Sequence, residues 1–313
     1  MNCNNFLDNN RLTGSQSRDA AKRLSPRMAG MLGYLCVFAS AVFFYFATAV
    51  IRWAAAEVSI DASYFSFFRF LLGFMIICGI MAVRKQGPVP RKYSLLIGRA
   101  VYNCIAVYCF YKAVELTSVA EGNILNMTYP IFLSVLSWVF LKEQRDILAI
   151  AMVGIAFAGI WLILSPGLAD PSFNSLWGLA SGITAAFAIL YLNMSRQYHD
   201  SETVLFYMFG LGCMVMYAVF YEKIFVPNGR EFYYLMICSL FGTAGQYLLT
   251  LGFKYVTAVE GSIISSSRIL MAAVLGPWVA MDPPLNMSGW IGALMIFLAN
   301  IVLAVRKSKE NSS

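Results

Sequence analysis

The sequence predicts an all-α membrane protein, with ten transmembrane helices arranged as two inverted five-helix repeats around a central cavity. Three observations carry this. Charged residues are only 12% of the chain and hydrophobic ones 59%, about half the charged share of a soluble domain. The apolar residues fall in runs long enough to cross ~30 Å of hydrocarbon as helices. Features of the first half then recur, in order, in the second.

The elements follow in sequence. Residues 1–28 are polar and basic, with Arg11, Arg18, Lys22, Arg23 and Arg27, and lack the apolar core of a signal peptide. They are expected to form a disordered cytosolic tail. Ten apolar runs follow at about 31–51, 62–83, 94–112, 118–141, 147–165, 175–194, 203–221, 231–253, 259–280 and 287–305. Short gaps leave no room for a soluble domain. The division is therefore a first repeat over 29–165, a second over 174–306, and a cytosolic tail over 307–313.

Lysine and arginine stay on the cytosolic side. With the N-terminus inside, inner segments hold sixteen of the 23 basic residues and outer loops hold four: Arg52, Lys112, Lys223 and Arg230. Arg69, Arg99 and Arg268 fall within spans. Both termini are expected to be cytosolic, and a bacterial inner membrane is the expected location. The net charge of +7 is explained by this asymmetry, so no nucleic-acid partner is expected. The expected partners are membrane lipids and a small-molecule substrate, with the chain acting as a monomer or homodimer.

The internal repeat rests on polar identity as well as greasiness. Phe110-Tyr111-Lys112-Ala113-Val114 parallels Gly252-Phe253-Lys254-Tyr255-Val256. Glu121-Gly122-Asn123-Ile124 parallels Glu260-Gly261-Ser262-Ile263, and Glu143 falls opposite Asp282. Five spans per copy is odd, so the second copy would enter the membrane inverted. Such repeats build carriers that expose a midplane site to each side in turn.

These features resemble the drug/metabolite transporter superfamily, specifically its ten-helix EamA-like branch, over residues 29–305. The resemblance rests on Arg69-Phe70 in the second span and on the fourth span, with Tyr129-Pro130 in its middle and Leu141-Lys142-Glu143 at its exit. Gly154 and Gly159 in the fifth add to it. The resemblance implies a five-plus-five inverted repeat around a central cavity and transport of metabolites or amino acids in either direction. The family also includes carriers of S-adenosylmethionine and nucleotide-like metabolites. The second half departs from its pattern at Asp282-Pro283-Pro284 and at Arg268-Ile269, which stand opposite a usual Glu and opposite Tyr129-Pro130.

Candidate site residues are the polar groups that should not lie in hydrocarbon. A mid-helix charge costs about 2.5–3.5 kcal/mol on translocon scales. Arg268 sits nine residues into its span, roughly 13 Å deep. Its guanidinium is suited to clamp a carboxylate or phosphate through two parallel hydrogen bonds. A structural ion pair is the alternative.

Asn123, Asn126, Pro130, Ser134 and Ser137 form one polar stripe on the fourth span, within about 80° at helical spacing. Ser262, Ser265 and Ser266 begin the ninth similarly, and Thr243, Gln246, Thr250 and Lys254 stripe the eighth. Together they suggest a wetted cavity between spans 3, 4, 8 and 9, with interhelical packing as the alternative. Pro130 cannot donate a backbone hydrogen bond, which predicts a kinked, partly unwound helix beside the cavity, and Pro277 predicts the same in the ninth span. Tyr45, Tyr102, Tyr108 and Tyr129 are candidates to stack on a flat or cationic solute.

Glu121 and Glu260 occupy equivalent first turns. There they either favour the helix dipole or carry protons for coupling. Arg69 is expected to be structural, and Arg99 to snorkel to the cytosolic edge. The substrate-binding set is thus Arg268, Asn123, Asn126, Tyr129, Ser265, Ser266, Gln246, Tyr102 and Tyr108, with Glu121, Glu260 and Pro130 for coupling or gating.

Other classes find little support. The single histidine, His199, and cysteines scattered within apolar runs offer no catalytic or metal cluster, and no cofactor is expected. No Walker-type glycine loop is present, so energy would come from a proton or solute gradient. A membrane enzyme is disfavoured. A lipid scramblase stays open, since sequence does not fix which way the stripes face.

Overall fold

The computed structural model describes residues 26–140, 147–164, 173–256 and 258–310, and these are helical throughout apart from short turns. The helices are α1 (Pro26–Glu57), α2 (Ala62–Val83), α3 (Tyr93–Leu116), α4 (Val119–Asn126), α5 (Tyr129–Phe140), α6 (Ile147–Leu164), α7 (Leu176–Arg196), α8 (Ser201–Phe220), α9 (Gly229–Gly252), α10 (Ala258–Leu275) and α11 (Met287–Glu310). Six are long and apolar enough to cross a membrane: α1, α2, α3, α7, α8 and α9. Shorter apolar stretches lie at Ile150–Ile163, Ile264–Ala280 and Met287–Leu303. The chain is an integral membrane protein. Its first 25 residues, Lys142 and Glu143 lie outside the described residues.

Polar side chains fix the helix starts. Asp61 accepts the Ser63 N–H at 2.9 Å to cap α2. Ser118 accepts the Glu121 N–H at 3.0 Å to cap α4, and Asp200 accepts the Thr203 N–H at 2.9 Å to cap α8. Asn228 and Glu231 form a reciprocal capping box on α9. Each cap satisfies backbone donors that have no partner within the helix. On the Asp61 carboxyl, burial pushes the pKa upward but is outweighed by Lys223, by the Ser63 hydroxyl and N–H, and by Lys112, so it titrates well below the usual range.

The fourth apolar run is not one helix. It breaks at Met127-Thr128, and Pro130 then lies in the first turn of α5. A proline is tolerated there because that amide would have no intrahelical partner anyway. Thr128 Oγ1 closes the break by donating to the Leu125 carbonyl at 2.6 Å. The ninth run widens into a π-helical turn over Gly276–Ala280, which contains Pro277. The last helix runs to Glu310, beyond the 306 expected for the second repeat.

Packing pairs the halves. α1 lies against α9 and α10, α3 against α7 and α8, α2 against α8 and α9, α7 against α4 and α5, and α6 against α11. Lipid tails are as apolar as the helices, so close approach of backbones does much of the holding. Gly159 of α6 and Gly292 of α11 illustrate this: a Cβ on Gly159 would meet the Gly292 carbonyl oxygen at 2.8 Å, and the reverse at 2.6 Å. Two apolar clusters flank the centre. One contains Phe65, Phe70, Tyr111 and Phe209, the other Ile124, Ile131, Ile160, Leu192 and Ile296.

Candidate functional site

Between these clusters lies a cavity of about 80 Å³, against roughly 10–15 Å³ for one water. It is walled by α1, α2, α3, α7, α9, α10 and the α4–α5 break, a wider ring than spans 3, 4, 8 and 9. Its apolar side comes from Phe44, Val107, Phe110, Ile189 and Leu249. Its polar side is dominated by Arg69, Arg99, Asn103, Asn126, Gln246 and Arg268.

All three arginines are at least 96% buried. Arg268 donates from Nη2 to Asn126 Oδ1, so the broken fourth span holds the guanidinium of the ninth. The Arg268 guanidinium carbon also lies 5.0 Å from the Phe110 ring centroid and 5.5 Å from that of Phe44. Arg69 donates from Nη1 to Tyr111 Oη at 3.0 Å and from Nη2 to Gln246 Oε1 at 3.4 Å, with Phe44 beneath it at 5.3 Å. Room for Arg69 is left by Gly242 of α9, where a Cβ would sit 2.8 Å from Arg69 Cδ. Arg99 does not snorkel. It is 1% exposed and lines the cavity, because the start of α3 is covered by neighbouring helices.

Asn126, Tyr129, Gln246, Ser265 and Arg268 are brought together on this cavity. Asn123 is fully buried next to it, donating to Thr48 Oγ1 at 3.0 Å and to the Val119 carbonyl at 2.8 Å. Ser266 accepts from Asn300 Nδ2 at 3.1 Å. Tyr102 and Tyr108 lie outside the lining: Tyr102 stacks on Phe187 and Tyr191 of α7, and Tyr108 packs on Trp177 and Phe220. Tyr45 is buried in the first apolar cluster. Glu121, half-buried in the first turn of α4, accepts from the Ser175 hydroxyl. Glu260 falls in the first turn of α10, with its side chain outside the described residues. Sequence reasoning missed Arg69, Arg99 and Asn103 as cavity residues. The one available signal was that each is a polar group within an apolar run.

Electrostatically the site is lopsided. Among the described residues the five ion pairs are Arg52–Asp282, Arg84–Glu202, Lys112–Asp61, Lys112–Glu115 and Lys223–Asp61. None includes a cavity arginine, and no described carboxylate lines the cavity. The Nε of all three arginines, Asn103 Nδ2 and Gln246 Nε2 have no hydrogen-bond partner among the described residues. A buried donor without an acceptor costs about 1–3 kcal/mol, so the cavity offers donors and positive charge to whatever enters. No group of three or more metal-ligating side chains occurs among the described residues.

The sequence model of the EamA-like transporter family matches residues 31–165 and again 173–305. An uncharacterised transporter of Helicobacter pylori is 27% identical over 80% of this chain and 89% of its own. The pseudopaline exporter CntI of Pseudomonas aeruginosa is 24% identical, with the same coverage. Human solute carrier family 35 member G1 is 23% identical, over 79% of this chain and 72% of its own. These are names of transporters rather than enzymes. A solved crystal structure shares the fold at a TM-score of 0.60 and 15% identity, covering 90% of this chain and 99% of the other. With both halves matched, the chain belongs to the EamA-like transporter family.

Proposed function

We propose that this protein is a secondary transporter of small carboxylate-bearing organic solutes, working by alternating access between two inverted five-helix repeats. The observation that carries the substrate class is Arg268, a buried guanidinium lining a cavity with no described carboxylate to neutralise it. A carboxylate entering the cavity would accept charge-assisted hydrogen bonds there, about 1.5–3 kcal/mol each, while Phe44, Phe110 and Leu249 take its apolar body. The repeat is supported by the two segments matched to one family model. It is also supported by helix pairings that exchange into one another when the first five spans are swapped with the last five: α1–α9 with α3–α7, and α2–α9 with α3–α8. Counting α4 and α5 as one span gives the ten crossings, with both termini cytosolic and the inner membrane of a bacterium as the setting.

The test is radiolabelled uptake into proteoliposomes holding the purified protein, over amino acids, other carboxylates, S-adenosylmethionine and nucleosides, with and without an imposed pH gradient. Saturable uptake of a carboxylate-bearing solute is expected. Uptake restricted to solutes without a carboxylate would overturn the substrate class. Lipid movement without solute uptake would favour a scramblase.

A further inference from the structure

Arg268 is not alone in the cavity. Arg69 and Arg99 reach it from α2 and α3, and Arg69 lies within electrostatic reach of both Arg99 and Arg268. The guanidinium carbons of Arg69 and Arg268 stand 5.3 Å and 5.5 Å from the same Phe44 ring centroid. They are therefore no more than about 11 Å apart, the sum of the two distances. One small molecule can touch both.

Like charges gathered among buried side chains repel, and removing each from water is costly unless an opposite charge meets it. A structural role would normally bring carboxylates. Among the described residues none lines this cavity, and none of the described acids pairs with any of the three arginines. Asp282 is committed to Arg52, and Glu121 to the Ser175 hydroxyl. Phe44 and Phe110 supply ring faces that ease the burden on Arg69 and Arg268 without cancelling it. The donors that remain open, Nε on each arginine with Asn103 Nδ2 and Gln246 Nε2, come from three elements besides α10. A single carboxylate on Arg268 would leave most of them unmet.

We infer that the transported solute carries at least two anionic groups, as in a dicarboxylate, a tricarboxylate or a phosphorylated carboxylate, gripped by Arg268 on one side and by Arg69 and Arg99 on the other. This rests on the transporter reading above and narrows its substrate. Arg99 is the discriminating residue: among the described residues its guanidinium has neither the side-chain hydrogen bonds nor the aromatic faces that hold Arg69 and Arg268, so its charge has no described role other than to meet a second anionic group.

The test is uptake of radiolabelled alanine, succinate, citrate and phosphoenolpyruvate into proteoliposomes at one fixed ionic strength, for wild type, Arg99→Gln and Arg99→Lys. At least one multiply anionic solute is expected to be taken up saturably, with an efficiency roughly tenfold or more above alanine. Arg99→Gln should collapse that ratio and Arg99→Lys should retain part of it. Succinate and citrate set against phosphoenolpyruvate separate polycarboxylates from phosphate esters. Alanine transported as well as the multi-anions, or a ratio untouched in Arg99→Gln, overturns the inference and leaves the transporter reading standing. No saturable uptake of any solute overturns both. Should Arg99→Gln fail to accumulate, thermal melting of the wild type in detergent with the same four compounds decides: larger shifts with the multi-anions support the inference, and equal shifts overturn it.

Discussion

Arg52 at the end of α1 donates from Nε to Asp282 Oδ1 at 2.8 Å, a contact spanning 230 residues of sequence. The other oxygen of Asp282 accepts the Val119 N–H at 2.6 Å, and nearby Trp53 donates to the Val279 carbonyl at 2.6 Å. One carboxylate thus ties the end of α1, the start of α4 and the segment after α10. Burial raises the Asp282 pKa, and the Val119 N–H and Arg52 pull against that without cancelling it. A carboxyl whose folded pKa lies above its ordinary 3.8 stabilises the fold most below that value, and the contribution is lost as pH rises through the folded pKa.

Arg52→Gln removes one of the opposing pulls and drives the Asp282 pKa higher. Relative to wild type, its melting temperature in detergent should fall more steeply as pH rises above the ordinary 3.8. Asp282→Asn should show the shallowest profile. Parallel pH profiles for all three proteins would mean that this carboxyl does not couple to folding.

Arg268→Ala should leave a folded, monodisperse protein and lower uptake efficiency by roughly ten- to a hundredfold, the worth of one charge-assisted contact of about 1.5–3 kcal/mol. Asn126→Ala frees the guanidinium from its only side-chain hydrogen bond among the described residues. It should raise KM with a smaller effect on maximal rate. Normal transport by Arg268→Ala would sink the clamp, and loss of accumulation would assign Arg268 a structural role.

Glu121 has no cationic partner among the described residues, only the Ser175 hydroxyl. It sits in the first turn of α4, whose last residue, Asn126, holds Arg268. If it carries the coupling proton, Glu121→Gln keeps the bond to Ser175 but cannot ionise. Uptake by this variant is expected to stop responding to an imposed pH gradient. An unchanged response would return Glu121 to the role of a first-turn carboxylate favoured by the helix dipole.

The run lengths made the membrane character of the chain legible, because hydrocarbon thickness sets a simple rule. Asn126, Gln246 and Ser265 were legible because each lies on a polar stripe, and Arg268 because a charge deep within a span is costly in hydrocarbon. Arg99 was not: its position near a span end is compatible with snorkelling, and only the packing of other helices over it closes that route. Tyr102 and Tyr108 look like solute-stacking residues in sequence, but the face of α3 that carries them is taken by aromatic side chains of α7 and α8. Which aromatic meets which is decided between helices, and no single-span pattern encodes it. The break at Met127-Thr128 was half legible, since Pro130 announces it but does not say on which side the helix stops.

Gly242 offers a way to move Arg69 without changing its chemistry. A Cβ at this position of α9 would lie 2.8 Å from Arg69 Cδ, 2.9 Å from its Nε and 2.9 Å from Tyr111 Oη. Those atoms are in the middle of a side chain fixed at its tip by Tyr111 and Gln246, so the arginine cannot simply swing aside and keep both bonds. Gly242→Ala should therefore cost about 1–3 kcal/mol in overpacking and lower uptake by roughly tenfold through a displaced guanidinium. Gly79→Ala is the matched control on α2, where an added Cβ meets nothing within 4 Å, and it should transport as wild type does. If Gly242→Ala melts lower yet transports normally, the position of Arg69 does not matter to the solute, and only Arg99 and Arg268 remain to hold it.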